Sequence, residues 1–123
     1  MLPKMEYKIV RPYIGGILSD NSYKFQNRKT KPPVAMWMRE LANEVEDLNI
    51  PKTPFYSISI KGNFSDSRHP DISNFHKVIG DALKKVLPVD DKYFRYNDLG
   101  VTLGTFDPTL EITIEPLDSL VYV

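Results

Sequence analysis

Between His69 and Phe94 the chain reads HPDISNFHKVIGDALKKVLPVDDKYF. Asp71 stands just before an amphipathic stretch, Asp81 inside it, and Asp90 with Asp91 just after it. Carboxylates gathered in one place are hard oxygen donors, the kind Mg²⁺ or Mn²⁺ takes while keeping several of its waters. Asn74, Lys77 and Asp81 fall at i, i+3 and i+7, a polar stripe beside the apolar one if the stretch is helical. A plainer reading competes with this one. Asp71 or Ser73 serves as a helix N-cap, Asp81 pairs with Lys77 or Lys84 on a solvated face, and Asp90-Asp91 is turn punctuation after Pro88. Residue types and spacing leave both readings standing, the plainer being the commoner.

The elements that must position these residues follow from hydrophobic periodicity. Phe75, Val78, Ile79, Ala82, Leu83 and Val86 lie at 3/4 spacing, which predicts a helix over Ser73 to Leu87 ended by Pro88. Such a helix is roughly 20 Å long at about 1.5 Å per residue. Asp71 and Asp91 therefore meet only if the chain after Pro88 doubles back as a strand alongside, or if a second subunit brings them together. Met38, Leu41, Ala42, Val45 and Leu48 predict an earlier helix over Ala35 to Leu48, bounded by Pro51 and Pro54. Trp37, Met36 and Met38 are helix and core residues, or part of a dimer seam.

Phe55 to Phe64 alternates, with Tyr56, Ile58 and Ile60 on one side and Ser57, Ser59 and Lys61 on the other, as a half-buried strand does. Leu110, Ile112 and Ile114 alternate with Glu111, Thr113 and Glu115 in the same way. Met5 to Val10 reads as a short strand that Tyr13 to Leu18 continues or pairs with across Pro12. Tyr93 to Tyr96 and Gly100 to Leu103 read as two further strands. The expectation is an α+β domain, a mixed sheet of roughly four strands packed with two main helices rather than alternating βαβ units.

A chain of 123 residues is one domain, spanning 1–123, with 41% hydrophobic and 26% charged residues, the balance of an ordinary globular protein. Sixteen basic and sixteen acidic residues give a formal net charge of zero, so a nucleic-acid role must come from uneven placement. Placement is uneven. Ser22 to Lys31, SYKFQNRKTK, holds Lys24, Arg28, Lys29 and Lys31 with no acid, whereas Glu40 to Asp47 is mostly acidic. With Tyr23 and Phe25 interleaved, the basic loop suits phosphate contacts with aromatic stacking, although a lone basic loop is more often simply solvated.

The absence of cysteine excludes disulfides, thiolate catalysis and Cys-based zinc sites. His69 and His76 do not make a zinc site, and Gly15-Gly16 lacks the following lysine of a nucleotide-binding loop. The N-terminus MLPKMEYKIV has no signal-peptide core, and no apolar run approaches membrane-spanning length, so a cytoplasmic protein without a membrane partner is expected.

The stretch PDISNFHKVIGDALKKVLPVDD resembles the signature region of the RusA family of Holliday-junction resolvases, small phage- and prophage-derived endonucleases. The family pattern runs D-x-D-N-x-x-K, then D-A-L about one turn on, then D-D before a strand. Here those positions read Asp71, Ser73, Asn74 and Lys77, then Asp81-Ala82-Leu83, then Asp90-Asp91. A weaker resemblance covers NSYKFQNRKT, the helix after it, the alternating strand before Asp71 and the closing LEITIEP.

The resemblance implies a homodimeric, Mg²⁺-dependent endodeoxyribonuclease, with Mn²⁺ as the alternative ion. It would bind four-way DNA junctions and nick two opposed strands in phage or bacterial recombination and repair. It further implies Asp71, Asp90 and Asp91 as metal ligands, with Lys77 contacting phosphate or assisting the leaving group. Lys24, Arg28, Lys29 and Lys31 would contact DNA. One position departs from the pattern: the second aspartate is Ser73, a neutral and poorer ligand. Asn74 and Asp81 are the nearby oxygen donors, neither an obvious substitute. Two expectations follow, a resolvase that tolerates the serine and a branched-DNA-binding relative that has lost a ligand. A third is an interaction domain with no nucleic-acid role.

Overall fold

The computed structural model describes residues 5–119. Its four strands are β1 (Tyr7–Pro12), β2 (Phe55–Phe64), β3 (Phe94–Leu103) and β4 (Thr109–Leu117), ordered β1-β4-β2-β3. β4 is antiparallel to both β1 and β2, whereas β3 is parallel to β2. Two helices, α1 (Pro32–Asp47) and α2 (His76–Leu83), complete the α+β fold expected from the sequence. One feature was not expected. Parallel neighbours need a crossover, and α2 supplies it, so β2-α2-β3 is a single βαβ unit inside the mixed sheet.

One core unites the helices with the sheet. Tyr56, Ile58 and Ile60 of β2 and Leu110, Ile112 and Ile114 of β4 are fully buried against Leu41 of α1 and Val78, Ile79 and Leu83 of α2. α1 begins three residues earlier than the periodicity predicts, because Pro32 and Pro33 are tolerated in a first turn whose amides need no intrahelical acceptor. Trp37 is buried, and its indole N–H donates to the Pro12 carbonyl at 2.7 Å, fastening α1 to the end of β1. Met38 is buried too, whereas Met36 is exposed. The acidic run of α1 has a structural use: Glu40 and Glu44 receive the buried Arg11 guanidinium at 2.5 and 3.5 Å.

Three predicted elements need correction. Tyr13 to Leu18 is not a strand, because Gly15 at φ 103° turns the chain out of the sheet into a 3-10 turn at Gly16–Leu18. The strands expected over Tyr93–Tyr96 and Gly100–Leu103 are one, β3, which starts at Phe94 because Tyr93 ends a short 3-10 turn. An extra residue is absorbed between the pairs Ile60–Asp98 and Gly62–Val101, where Gly100 takes φ 94°. The second helix is shorter than predicted: Ile72–Phe75 is a 3-10 turn, α2 proper ends at Leu83, and looser turns run on to Leu87.

The sheet's other face is polar, and Glu111 is its hub. It pairs with Lys8 and accepts from Asn63 Nδ2 at 2.7 Å, and these bonds hold its carboxyl below the usual value of 4.5. A lowered carboxyl contributes stability above its unfolded pKa, which is lost as pH falls through the folded one. Glu111→Gln is therefore expected to be less stable than the parent near pH 7, with the gap narrowing as the pH falls below the usual carboxyl value and through the lowered folded one, as urea melts at neutral and acid pH would show. A gap that persists in acid would mean the carboxylate's charge is not what stabilises this face. No described helix is long and apolar enough to cross a membrane.

Candidate functional site

The crossover answers whether the acids can meet. Because β3 returns beside α2, Asp91 comes back against the helix: a Cβ built on Gly80 would overlap the Tyr96 hydroxyl and lie 3.6 Å from the Asp91 Cβ. Glycine at position 80 is what lets the start of β3 approach so closely. Asp90 takes extended backbone, and its carboxylate accepts the Asp91 N–H at 2.7 Å, capping the short turn Asp91–Tyr93. The turn-punctuation reading thus holds for Asp90. Asp91 itself is half-buried and faces the helix.

On α2, Asp81 is engaged at both oxygens. Oδ2 accepts the Tyr23 hydroxyl at 2.6 Å, and Oδ1 lies 3.3 Å from Lys84 Nζ. Of the two lysines expected to pair with it, Lys84 does so. Lys77 is exposed on the solvent side, as is Ser73. Asp71 occupies the N-cap position of the Ile72–Phe75 turn, yet its side chain caps no amide; its carbonyl accepts the Asn74 N–H at 2.9 Å. The structure brings Asp91 beside Asp81, and Asp71 opens the turn that leads into α2.

Asp20 was not among the residues singled out from the sequence. Its N–H donates to the Asn74 carbonyl at 2.9 Å, which docks the preceding loop against the 3-10 turn before α2. Two tyrosines register the result. Burial, the bond to Asp81 and the charges of Asp81, Asp20 and Asp91 push the Tyr23 hydroxyl far up. Burial and the charges of Asp91, Asp81 and Asp20 do the same to Tyr96. Both phenols stay protonated in the field of the same three carboxylates. The Lys84 ammonium is likewise held in its charged form, by its bond to Asp81 and the charges of Asp81, Asp91 and Asp90. Within the adjacent pair, the bond to Asp90 and partial burial raise Asp91, whereas the bond to Asp91 lowers Asp90.

The basic loop packs beside this face and closes on itself. Lys24 bridges Thr30, the Phe25 N–H donates to the Lys29 carbonyl at 2.8 Å, and the Lys31 N–H donates to the Tyr23 carbonyl at 2.9 Å. Residues 24–29 are all exposed, with Arg28 at φ 67°. Phe25 is half-exposed and available for stacking, but Tyr23 is buried, which removes it from the stacking role its place in the loop suggested. The histidines stand apart, His69 stacked on Phe64 at 4.3 Å and His76 stacked on Tyr96 at 4.4 Å with its Nε2 2.6 Å from Asp98.

Among the described residues, no three histidine, aspartate or glutamate side chains converge as a ready cage for a metal ion. Asp81, Asp90 and Asp91 nonetheless offer carboxylate oxygens, which fits Mg²⁺ or Mn²⁺. Mg²⁺ in phosphate-handling sites commonly takes one or two carboxylates and completes its shell with substrate phosphates and water.

Asp81 of α2 thus lies beside Asp91 at the start of β3 and is bonded to Tyr23 at the base of the closed basic loop. The sequence model of the RusA family, described as endodeoxyribonuclease RusA, matches residues 22–115, and the chain belongs to that family. The match takes in the basic loop, both helices and β2 through most of β4, and begins just after Asp20. A search among curated proteins gave no match.

Proposed function

We propose that the protein is a Mg²⁺-dependent, homodimeric endonuclease that resolves four-way DNA junctions by paired nicks. The observation that carries this reading, in a chain of the RusA family, is the return of Asp91 onto α2 beside Asp81 and Asp20, with the basic loop next to them. Asp90 and Asp91 would hold the ion, with Asp71 as the further carboxylate of the family pattern. Bound there, Mg²⁺ would supply an activated water and charge relief on the phosphate. Lys77 would meet phosphate charge as it develops, and Lys24, Arg28, Lys29 and Lys31 would grip the backbone on either side of the cut.

A dimer is supported by the open edge of the sheet. β3 is an edge strand whose stretch from Leu99 to Phe106 carries no charge and exposes Leu99, Val101, Leu103 and Phe106. Exposed apolar edges are normally blunted or paired. Two copies would also bring two basic loops to one junction, as paired nicking requires.

A second reading is favoured by Ser73, where the family pattern has an aspartate, and by the want of a ready three-ligand cage among the described residues. It is a branched-DNA-binding protein that does not cut. One experiment separates the two: cleavage of a labelled four-way junction with Mg²⁺ or Mn²⁺, for the parent and for Ser73→Asp. Paired nicks by the parent are expected. Cutting by the variant alone would establish the second reading, and no binding by either would sink both.

A further inference from the structure

A partly buried side-chain hydrogen bond ties the basic loop to the acidic face, and it has no part in the function just proposed. Tyr23 sits at the base of the loop with 1% of its surface exposed. Its carbonyl closes the loop by accepting from Lys31, and its own N–H donates to the Ser19 carbonyl at 3.2 Å. Its hydroxyl reaches across 58 positions of sequence to Asp81 Oδ2 at 2.6 Å. Asp81 in turn holds Lys84 and shares the face of α2 to which Asp91 returns.

We propose that Tyr23 is a positioning residue that sets the register between the loop's grip on the DNA backbone and the carboxylates around Asp91. This rests on the nuclease reading above. A loop fixed only through its own backbone bonds, such as Arg28 N–H to Phe25 carbonyl at 2.9 Å, keeps its shape but not its orientation to the rest of the molecule. The Asp20 N–H bond to the Asn74 carbonyl holds the chain before the loop, and the phenol fixes the loop's own base, from a side chain buried in the core and bonded to a helix. The requirement is strict, since displacing a reacting group by about 1 Å can cost on the order of 100-fold in rate.

Asp81, with both oxygens engaged, serves this register rather than replacing the aspartate missing at Ser73. Because Tyr23 remains protonated at any working pH, the donor is permanent, which suits a brace and not a switch. Residue 84 gives a second hold on Asp81, so losing the phenol alone should loosen the loop without unfolding α2.

The test uses the full chain with a labelled junction and Mg²⁺. Tyr23→Phe keeps the ring and removes only the bond. It is expected to bind the junction within about twofold of the parent while single-turnover cleavage falls about tenfold or more. Asp81→Ala, which removes the acceptor, should behave alike, and the double variant should be no worse than either single one. Amides of residues 24–30 should also exchange about tenfold faster in Tyr23→Phe.

Unchanged cleavage and unchanged exchange would overturn the proposal. So would binding, cleavage and melting temperature falling together, the mark of a residue that only fills the core. If the parent binds without cutting, the nuclease reading fails instead. The brace is then upheld by faster loop exchange in Tyr23→Phe and overturned by exchange that does not change.

Discussion

Replacing Asp91 by asparagine is expected to slow junction cleavage by on the order of 100-fold or more while junction binding stays within about twofold. The variant isolates charge from shape. Asparagine matches aspartate in size and shape and differs in carrying no charge. The Asp91 N–H to Asp90 bond at 2.7 Å and the close approach to Gly80 both survive, because neither uses the lost charge. What disappears is a negative oxygen on the α2 face, the feature a Mg²⁺ ion would need.

The same loss can be read without any cleavage. Asp91 helps hold both the Tyr96 and the Tyr23 hydroxyls up, so both should titrate at lower pH in the variant, measurable by ultraviolet absorbance. Calorimetric Mg²⁺ titration should show weaker binding than in the parent. If cleavage persists at the parental rate while the fold melts normally, Asp91 is not part of the reacting centre. The ion would then be held without it, by Asp71 before α2 and other carboxylates.

Much of this site was legible in the sequence where contacts are local. The Asp81–Lys84 pair lies one helical turn apart, and the capping of the Asp91–Tyr93 turn by Asp90 involves adjacent residues. The buried faces of β2, β4 and both helices follow from periods of two and 3.6, which repeat within a few residues.

What stayed hidden depends on contacts between distant parts of the chain. Asp20 has no spacing relation to α2; one backbone bond to Asn74 carries it there. Tyr23 lies in a polar, basic run whose composition says surface, and only its partner on α2 makes burial of the hydroxyl affordable. The parallel pairing of β3 with β2 was likewise invisible, since alternation marks a strand without naming its neighbour. That pairing decides the site, because it is what returns Asp91 to the helix.

The crossover also has a tight point at its other end, where Gly62→Ala is expected to destabilise the protein by about 2 to 3 kcal/mol, at the upper end of the cost of overpacking a core. Gly62 lies in β2 between Val101 and Leu110, and a Cβ there would overlap the Phe64 ring and come within 2.9 Å of Ile72 Cδ1. The ring has little room to yield. It is 2% exposed, stacked on His69 at 4.3 Å and met edge-on by Tyr13 at 4.9 Å. Ile72 is no freer, being buried in the turn that follows Asp71.

The added methyl must therefore push either the aromatic cluster or the turn that carries Asp71. A melt followed by fluorescence of the single, buried Trp37 should fall by several degrees, at roughly 3 to 6 °C per kcal/mol for a domain of this size. Phe64→Leu in the same chain should make the added methyl less costly than in the parent, because the smaller side chain vacates the space it needs. A Gly62→Ala melt within about 0.5 kcal/mol of the parent would show that the cluster shifts freely. In that case the position of Asp71 is set by the 3-10 turn itself and not by the packing of β2 beneath it.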